Sequence, residues 1–273
     1  MHAFETVILF LKSQDFWQPF SILFSLPIIF TLEKIWPARD SRWLAKGWIS
    51  DLFHTYEPWL HGTVYGGYIA LANQYLVYEP LSGWVQTLHP AIQFLLLFLV
   101  TELIFYVVHR MAHKSPILWA FHQVHHSSTQ YYSLMTKRFH VLDEMLFAIP
   151  TISAIALLGA EAKVAMVMIV FRRFMDVYGH SNINAPKMLI FFLVTPHFHA
   201  WHHSRDEAAL DKNFGRDMAL FDYLLGTAYY PKDRIPLRFG YPDYTNNYLK
   251  QQWYPFAQLA KGFLERARTR KFR

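Results

Sequence analysis

The chain of 273 residues contains no cysteine. Disulfides, thiolate metal sites, iron–sulfur clusters and cysteine nucleophiles are therefore excluded. Charge is scarce: Asp, Glu, Lys and Arg make up 17% of the residues, against about 25% in a typical soluble domain. No dinucleotide glycine fingerprint and no CxxCH haem site is present, so no redox group of the chain's own is expected. Residues 1–15 lack both a basic n-region and a small-residue cleavage site, so no cleavable signal peptide is expected there. With no internal repeat, linker or low-complexity stretch, residues 1–273 are expected to form a single domain.

Apolar and aromatic surface is what the chain has in abundance. It is 53% hydrophobic, with 24 Phe, 16 Tyr and 9 Trp. Tyr and Trp favour membrane–water interfaces. A spanning helix needs about 20 mostly apolar residues. The stretches 16–36 (with Pro27 as an expected kink), 59–77 and 91–108 fit, as do 144–160 and 163–178. The last two flank Gly159-Ala-Glu-Ala-Lys163 and read as a helical hairpin, spanning or re-entrant. Arg172, Arg173 and Asp176 place its last turns outside lipid. The stretch 186–194 is too short to span, and is expected at the interface or against the site. The expected fold is all-α: an integral-membrane helical bundle with about four transmembrane helices. A soluble fold with buried helices is the competing reading.

Charge asymmetry gives an orientation. Arg39, Arg42 and Lys46 follow the first span, whereas the loop 79–90 has no Lys or Arg. The positive-inside rule puts the first loop in the cytoplasm and the second outside. The basic tail, about 262–273, then also ends inside. It is either a solvated end or a contact for anionic lipid. The expected localisation is thus multi-pass integral membrane, with the site and C-terminus on the cytoplasmic side.

Of 15 histidines, 11 lie between 109 and 203. Three groups stand out: His109-Arg-Met-Ala-His113, His122-Gln-Val-His125-His126 and His199-Ala-Trp-His202-His203. Helical residues at i, i+3 and i+4 share a face, so each group is expected to offer its imidazoles to one point. Eight imidazoles exceed what one tetrahedral ion accepts, and two metals with open positions fit better. Unpaired buried imidazoles would be costly, and a metal removes that cost. His2, His54, His61 and His89 read instead as capping or surface residues. His197, two residues before the third group, reads as a support for ligands. Glu102 lies two helical turns before His109 and can share its face. With Asp143, Asp176 and Asp211 it is a candidate to tune a ligating imidazole through the second nitrogen, and a helix–helix contact is its plainer reading. Trp119, Phe121, Tyr131, Tyr132, Phe198 and Trp201 line a lipid channel or are ordinary packing.

The order HxxxH, HxxHH and a distant HxxHH resembles the fatty acid hydroxylase/sterol desaturase superfamily, over roughly 94–227. Trp119-Ala-Phe-His-Gln-Val-His-His-Ser-Ser128 is similar to its second histidine box, and Thr195-Pro-His-Phe-His-Ala-Trp-His-His203 to its third. Asp211-Lys-Asn-Phe-Gly215 and Phe221-Asp-Tyr-Leu-Leu-Gly-Thr227 resemble the segment that follows. The resemblance implies two iron ions on the cytoplasmic side, capped by helices, with O₂ as co-substrate and zinc as an adventitious replacement. It adds His180, in Gly179-His-Ser-Asn182, as a further ligand. It also marks Asn184 as standing where some members have another histidine. His140, in Arg138-Phe-His-Val141, matches a family segment in which proline replaces the valine, and reads as lining or supporting the site. The implied activity is O₂-dependent hydroxylation or desaturation of a lipid C–H bond. Electrons would come from a separate ferredoxin, cytochrome or reductase; no nucleic acid is involved. The run from His122 to Ser128 is somewhat similar to the alkylglycerol monooxygenase branch, which cleaves ether lipids. A zinc-dependent membrane hydrolase, or a metal or lipid carrier without catalysis, are readings from other classes. The first box lacks the glutamate of a zinc-protease HExxH motif.

Overall fold

The computed structural model describes residues 14–42, 44–186, 192–241 and 243–270, with no side chains given for 14–24, 56–66 and 263–270. His2, most of the stretch 186–194 and the tail's last three residues lie outside the described residues, as do the side chains of His61 and Arg266. Among the described residues the fold is all-helical. It has no strand, and its only extended pairings are isolated bridges, Pro37 with Ile183 and Ser204 with Phe239.

Three long helices and one short one precede the histidine-rich region or carry its start. They are α1 (Gln14–Ile35), α2 (Trp48–Tyr75), the short α3 (Glu79–Thr87) and α4 (Pro90–Lys114). Helix α1 continues unbroken through Pro27. Helix α2 begins eleven residues before the apolar run that announced it, because Gly47 turns the chain in a left-handed conformation (φ 97°) just before Trp48. Helix α4 outruns its apolar stretch and carries the first histidine box before Ser115-Pro116 ends it.

The short α5 (Pro116–His122) follows, then tight 3₁₀ turns at His125–Ser127 and Ser133–Lys137. The hairpin is α6 (Val141–Leu158) and α7 (Ala162–Gly179). It turns at Gly159, whose φ of 57° suits glycine and where a Cβ would collide with that of Ser82. Helices α8 (Pro196–His202), α9 (Leu220–Leu224) and α10 (Tyr248–Arg270) complete the order. Helix α4 packs on α5, α6 and α7, and α1 packs on α7. Leu97, Phe98, Leu158, Val164, Ala165 and Met168 form the apolar core between α4 and the hairpin.

Two of the described helices, α4 and α6, are long and apolar enough to cross a membrane. The outward face of α4 presents Ile92, Leu95, Leu103, Val107 and Met111. That of α7 presents Met166, Val167, Val170 and Phe174. Exposed apolar stripes of this length suit a lipid solvent better than water. The far end of α7 is different. Arg172 is buried between Glu102 and Asp217, at 3.4 and 3.3 Å.

Candidate metal centre

Helix starts place the histidine boxes. The Ser115 side chain accepts the Leu118 amide and Pro116 opens α5. The Thr195 side chain accepts the Phe198 amide and Pro196 opens α8. Both are hydroxyl caps with proline in the first helical position, where its missing N–H costs nothing. Each cap launches a seven-residue helix whose last residue is a box histidine.

Nine imidazoles converge into two adjacent groups. His109, His113, His122, His126 and His202 form one, and His125, His180, His199 and His203 the other. In each, the candidate ligand nitrogens lie within 4.8 Å of one another. The groups adjoin: the rings of His126 and His203 stack at 4.3 Å.

The second and third boxes therefore do not each serve one point, as their spacing suggested. The i, i+4 pairs His122/His126 and His199/His203 stay together, while His125 and His202 cross to the other group. Neighbouring helical residues differ by about 100° around the axis. Side by side, His202 and His203 thus face different groups. The second box achieves the same split by tightening from α5 into the 3₁₀ turn at His125.

The far nitrogens of five rings are tied. His109 Nδ1 bonds the Phe214 carbonyl and His202 Nδ1 that of Lys212, both at 2.8 Å. His180 Nδ1 bonds the Asp176 carbonyl at 2.8 Å and His125 Nδ1 that of Arg138 at 3.3 Å. His122 Nδ1 bonds the Asp143 carboxylate at 2.9 Å. Each partner is an acceptor, so Nδ1 carries the proton and Nε2 keeps a lone pair. The Nε2 atoms of His125 and His180 nonetheless lie 3.1 Å apart. Those of His180 and His199 are 3.0 Å apart, and those of His199 and His203 3.2 Å. The Nε2 atoms of His109, His113 and His202 are buried with no hydrogen-bond partner. Crowded lone pairs and orphaned nitrogens are unfavourable by themselves. A shared cation relieves both, so this donor set fits two metal ions.

Burial also favours the neutral form at six of these rings. It holds His202 down to about 3 and His180 down to about 4. Burial, then neighbouring imidazoles, pushes His125, His126, His199 and His203 well below the ordinary range. Neutral rings are the metal-binding form.

The remaining candidates fall elsewhere. Among the described residues Glu102 bonds backbone amides and Arg172, and no imidazole. Its Oε1 accepts the amides of Arg216, Asp217 and Met218 at 2.8, 3.0 and 3.3 Å. It thus fastens the loop that contains Phe214, His109's partner. Asp211 bonds Lys114 Nζ at 2.6 Å and lies 3.8 Å from His113 Nδ1. His140 belongs to neither group: it caps α6 through Leu142 N, bonds the Gln252 carbonyl through Nε2 at 2.9 Å and packs on Phe121. Asn184 and His197 meet each other, at 3.2 Å, and belong to neither group. His54 is buried, with Nε2 against Gln251 Oε1 at 2.8 Å, so it is not a surface residue. His89 does cap a helix, α4. Trp119 packs on His113 and His126, and Tyr131 on His180 and His203. Phe198 and Trp201 are fully buried packing residues. Sequence reading missed Asp222, Asp51 and Arg138, which hold the backbone behind the rings. The Phe-Asp and Arg-x-His segments around two of them were the available signal.

Residues 94–227, about half of the chain, match the model of the fatty acid hydroxylase family. The ornithine lipid hydroxylase OlsE of Rhizobium tropici is 33% identical over 151 residues, 54% of this chain and 45% of that protein. Alkylglycerol monooxygenase of Danio rerio is 34% identical over 143 residues, 51% of this chain and 31% of that protein. Very-long-chain aldehyde decarbonylase GL1-6 of Oryza sativa subsp. indica is 29% identical over 146 residues, 49% and 22%. The chain thus spans less than half the length of these curated relatives. No solved structure matches it. All three histidine boxes fall inside the matched region, and through it the chain belongs to the fatty acid hydroxylase/sterol desaturase superfamily.

Proposed function

We propose that this chain is a membrane-embedded dimetal oxidoreductase that hydroxylates a lipid C–H bond with O₂. The observation that carries this reading is the donor set: nine buried imidazoles in two groups, five with the far nitrogen tied to an acceptor. His109, His113, His122, His126 and His202 would hold one iron, and His125, His180, His199 and His203 the other. Irons held by these residues would supply the activation of O₂ against an unactivated C–H bond. For hydroxylation the balance is R–H, O₂, two electrons and two protons giving R–OH and water. The electrons come from a separate carrier, a ferredoxin, cytochrome or reductase, because the chain has no motif for one.

The residues around the groups orient and exclude. Backbone carbonyls and Asp143 fix the ring tautomers. Eight of the nine imidazoles belong to residues only 1–7% exposed, so bulk water is kept out. An apolar groove of about 370 Å³ runs between α5 and α6, lined by Leu118, Phe121, Leu142, Leu146 and Ile149. Its one acid is Asp143, the partner of His122. The groove suits a hydrocarbon chain whose reacting carbon approaches the five-histidine group. We place α1, α2, α4 and the hairpin in the membrane, with the histidines and C-terminus cytoplasmic, on the charge bias of the loops.

Relatives named as a lipid hydroxylase and as alkylglycerol monooxygenases favour lipid substrates, with ether-lipid cleavage as the second reading. The test pairs metal analysis with lipidomics. Protein prepared anaerobically should hold close to two irons per chain. A deletion strain should lack an oxidised lipid that the wild-type gene restores. Zinc with O₂-independent hydrolysis would overturn the proposal.

A further inference from the structure

We propose that each histidine group is set by its own anchored backbone segment, with Asp222 the positioning residue for the five-histidine group and Asp51 for the four-histidine group. The inference rests on the dimetal reading above.

Asp222 is fully buried. Its Oδ1 accepts the Phe214 amide at 2.8 Å and the Thr227 hydroxyl at 2.7 Å, and its Oδ2 accepts the Gly215 amide at 2.7 Å. The loop it grips supplies both carbonyls that tie the five-histidine group: Phe214 to His109 and Lys212 to His202. Asn213, between them, has a φ of 59° and bonds the carbonyls of Phe198 and Tyr229. Gly215 leaves room for this grip, since a Cβ there would collide with the Met218 carbonyl and lie 2.9 Å from Asp222 Oδ2.

Asp51 lies on α2, outside the region shared with the family. It too is fully buried. One oxygen accepts Arg138 Nε and the other the Tyr132 hydroxyl. Arg138 also donates to Ser127 Oγ at 3.2 Å. The segment so held presents the Arg138 carbonyl to His125 Nδ1. The two networks share no side chain. A carboxylate that fixes a carbonyl, which fixes an imidazole tautomer, acts on metal affinity from one step further out than the usual carboxylate–histidine pair.

The experiment loads the full-length chain with Co²⁺, and separately with Fe²⁺ under anaerobic conditions, and reads each site by optical and Mössbauer spectra. His126→Ala and His125→Ala assign the two signatures. Asp222→Asn, one step further out than a direct partner, should weaken the His126-assigned ion by up to roughly 10-fold and leave the other signature unchanged. Asp51→Asn should do the converse. Thr227→Val and Tyr132→Phe remove one donor from the same carboxylates and should act on the same sites with smaller shifts. They also carry the test if an aspartate variant does not fold. Parallel loss of both ions, or wild-type affinity at both sites in all four variants, would overturn the proposal. If His125→Ala and His126→Ala do not each perturb a distinct signature, the dimetal reading fails, and this inference with it.

Discussion

Asp143 accepts the Nδ1–H of His122 at 2.9 Å, with both side chains almost wholly buried. Among the described residues it is the one carboxylate within hydrogen-bond distance of a ring of the five-histidine group, Asp211 standing off from His113 at 3.8 Å. A charged acceptor there raises the basicity of the opposite nitrogen and locks the tautomer. Asp143→Asn keeps the shape and removes the charge. Metal affinity at that group should fall by roughly 10-fold, and Asp143→Leu, which removes the acceptor, should approach 100-fold. Equilibrium dialysis measures both, and excess metal should restore turnover in Asp143→Asn.

Glu102 has a mechanical role. It satisfies three backbone amides in the loop 216–218 and neighbours the buried Arg172. Glu102→Ala would leave those amides unpaired and strip Arg172 of one of its two acids. The expected cost is about 3–5 kcal/mol, read as a lowered thermal midpoint. Asp217 remains beside Arg172, so Glu102→Gln should cost less. An unchanged midpoint in Glu102→Ala would refute the role.

Much of the centre was legible because imidazoles clustered this densely are costly to bury unless a cation takes up their lone pairs. The nine histidines that converge are the nine singled out from the boxes and from the Gly179-His-Ser-Asn182 segment. What could not be read was their partition. Periodicity treats i+3 and i+4 as one face, whereas His202 and His203 are separated by the rotation between adjacent residues. Of the two readings of Glu102, the helix–helix contact is present, to Arg172 of α7, while its other oxygen bonds backbone amides and not an imidazole. Its spacing from His109 put it on the right side of α4, but the loop around Phe214 comes between them, and no local pattern announces a loop so distant along the chain. The N-terminal extension of α2 was hidden because residues 48–58 are polar enough to break an apolar run. They are polar because Asp51 and His54 are bonded in the interior.

Acid should loosen the metal-free protein within a definable window. Burial holds His202 down to about 3 and His180 down to about 4, while an unfolded histidine titrates near 6.5. Between these values the unfolded chain binds protons that the folded chain does not. Stability therefore rises with pH across the window. The contribution is complete above about 6.5 and is lost progressively as pH falls toward 4 and then 3. The thermal midpoint of chelator-treated protein should drop from about pH 7 to about pH 5, and His202→Ala should flatten that slope. A midpoint independent of pH over this range would count against buried neutral imidazoles.

The apolar groove between α5 and α6 allows a test of where the proposed substrate's hydrocarbon chain runs. From Leu142 to Ile149 its wall runs along one helix for about 10 Å, at about 1.5 Å per residue. Its lining is apolar except for Asp143. Ile149 lies about two turns from Asp143 along that wall, so filling its end of the groove should obstruct a chain without disturbing the metal ligands. Ile149→Trp should raise KM for a long-chain substrate about 10-fold or more, the scale on which misfit in an apolar pocket is felt. Metal content should stay at the wild-type value, and a substrate with a shorter chain should be affected less. Equal impairment of short and long chains would mean that the hydrocarbon runs elsewhere. Loss of metal in Ile149→Trp would mean that the groove wall supports the centre, as Asp143 does, and does not guide the chain.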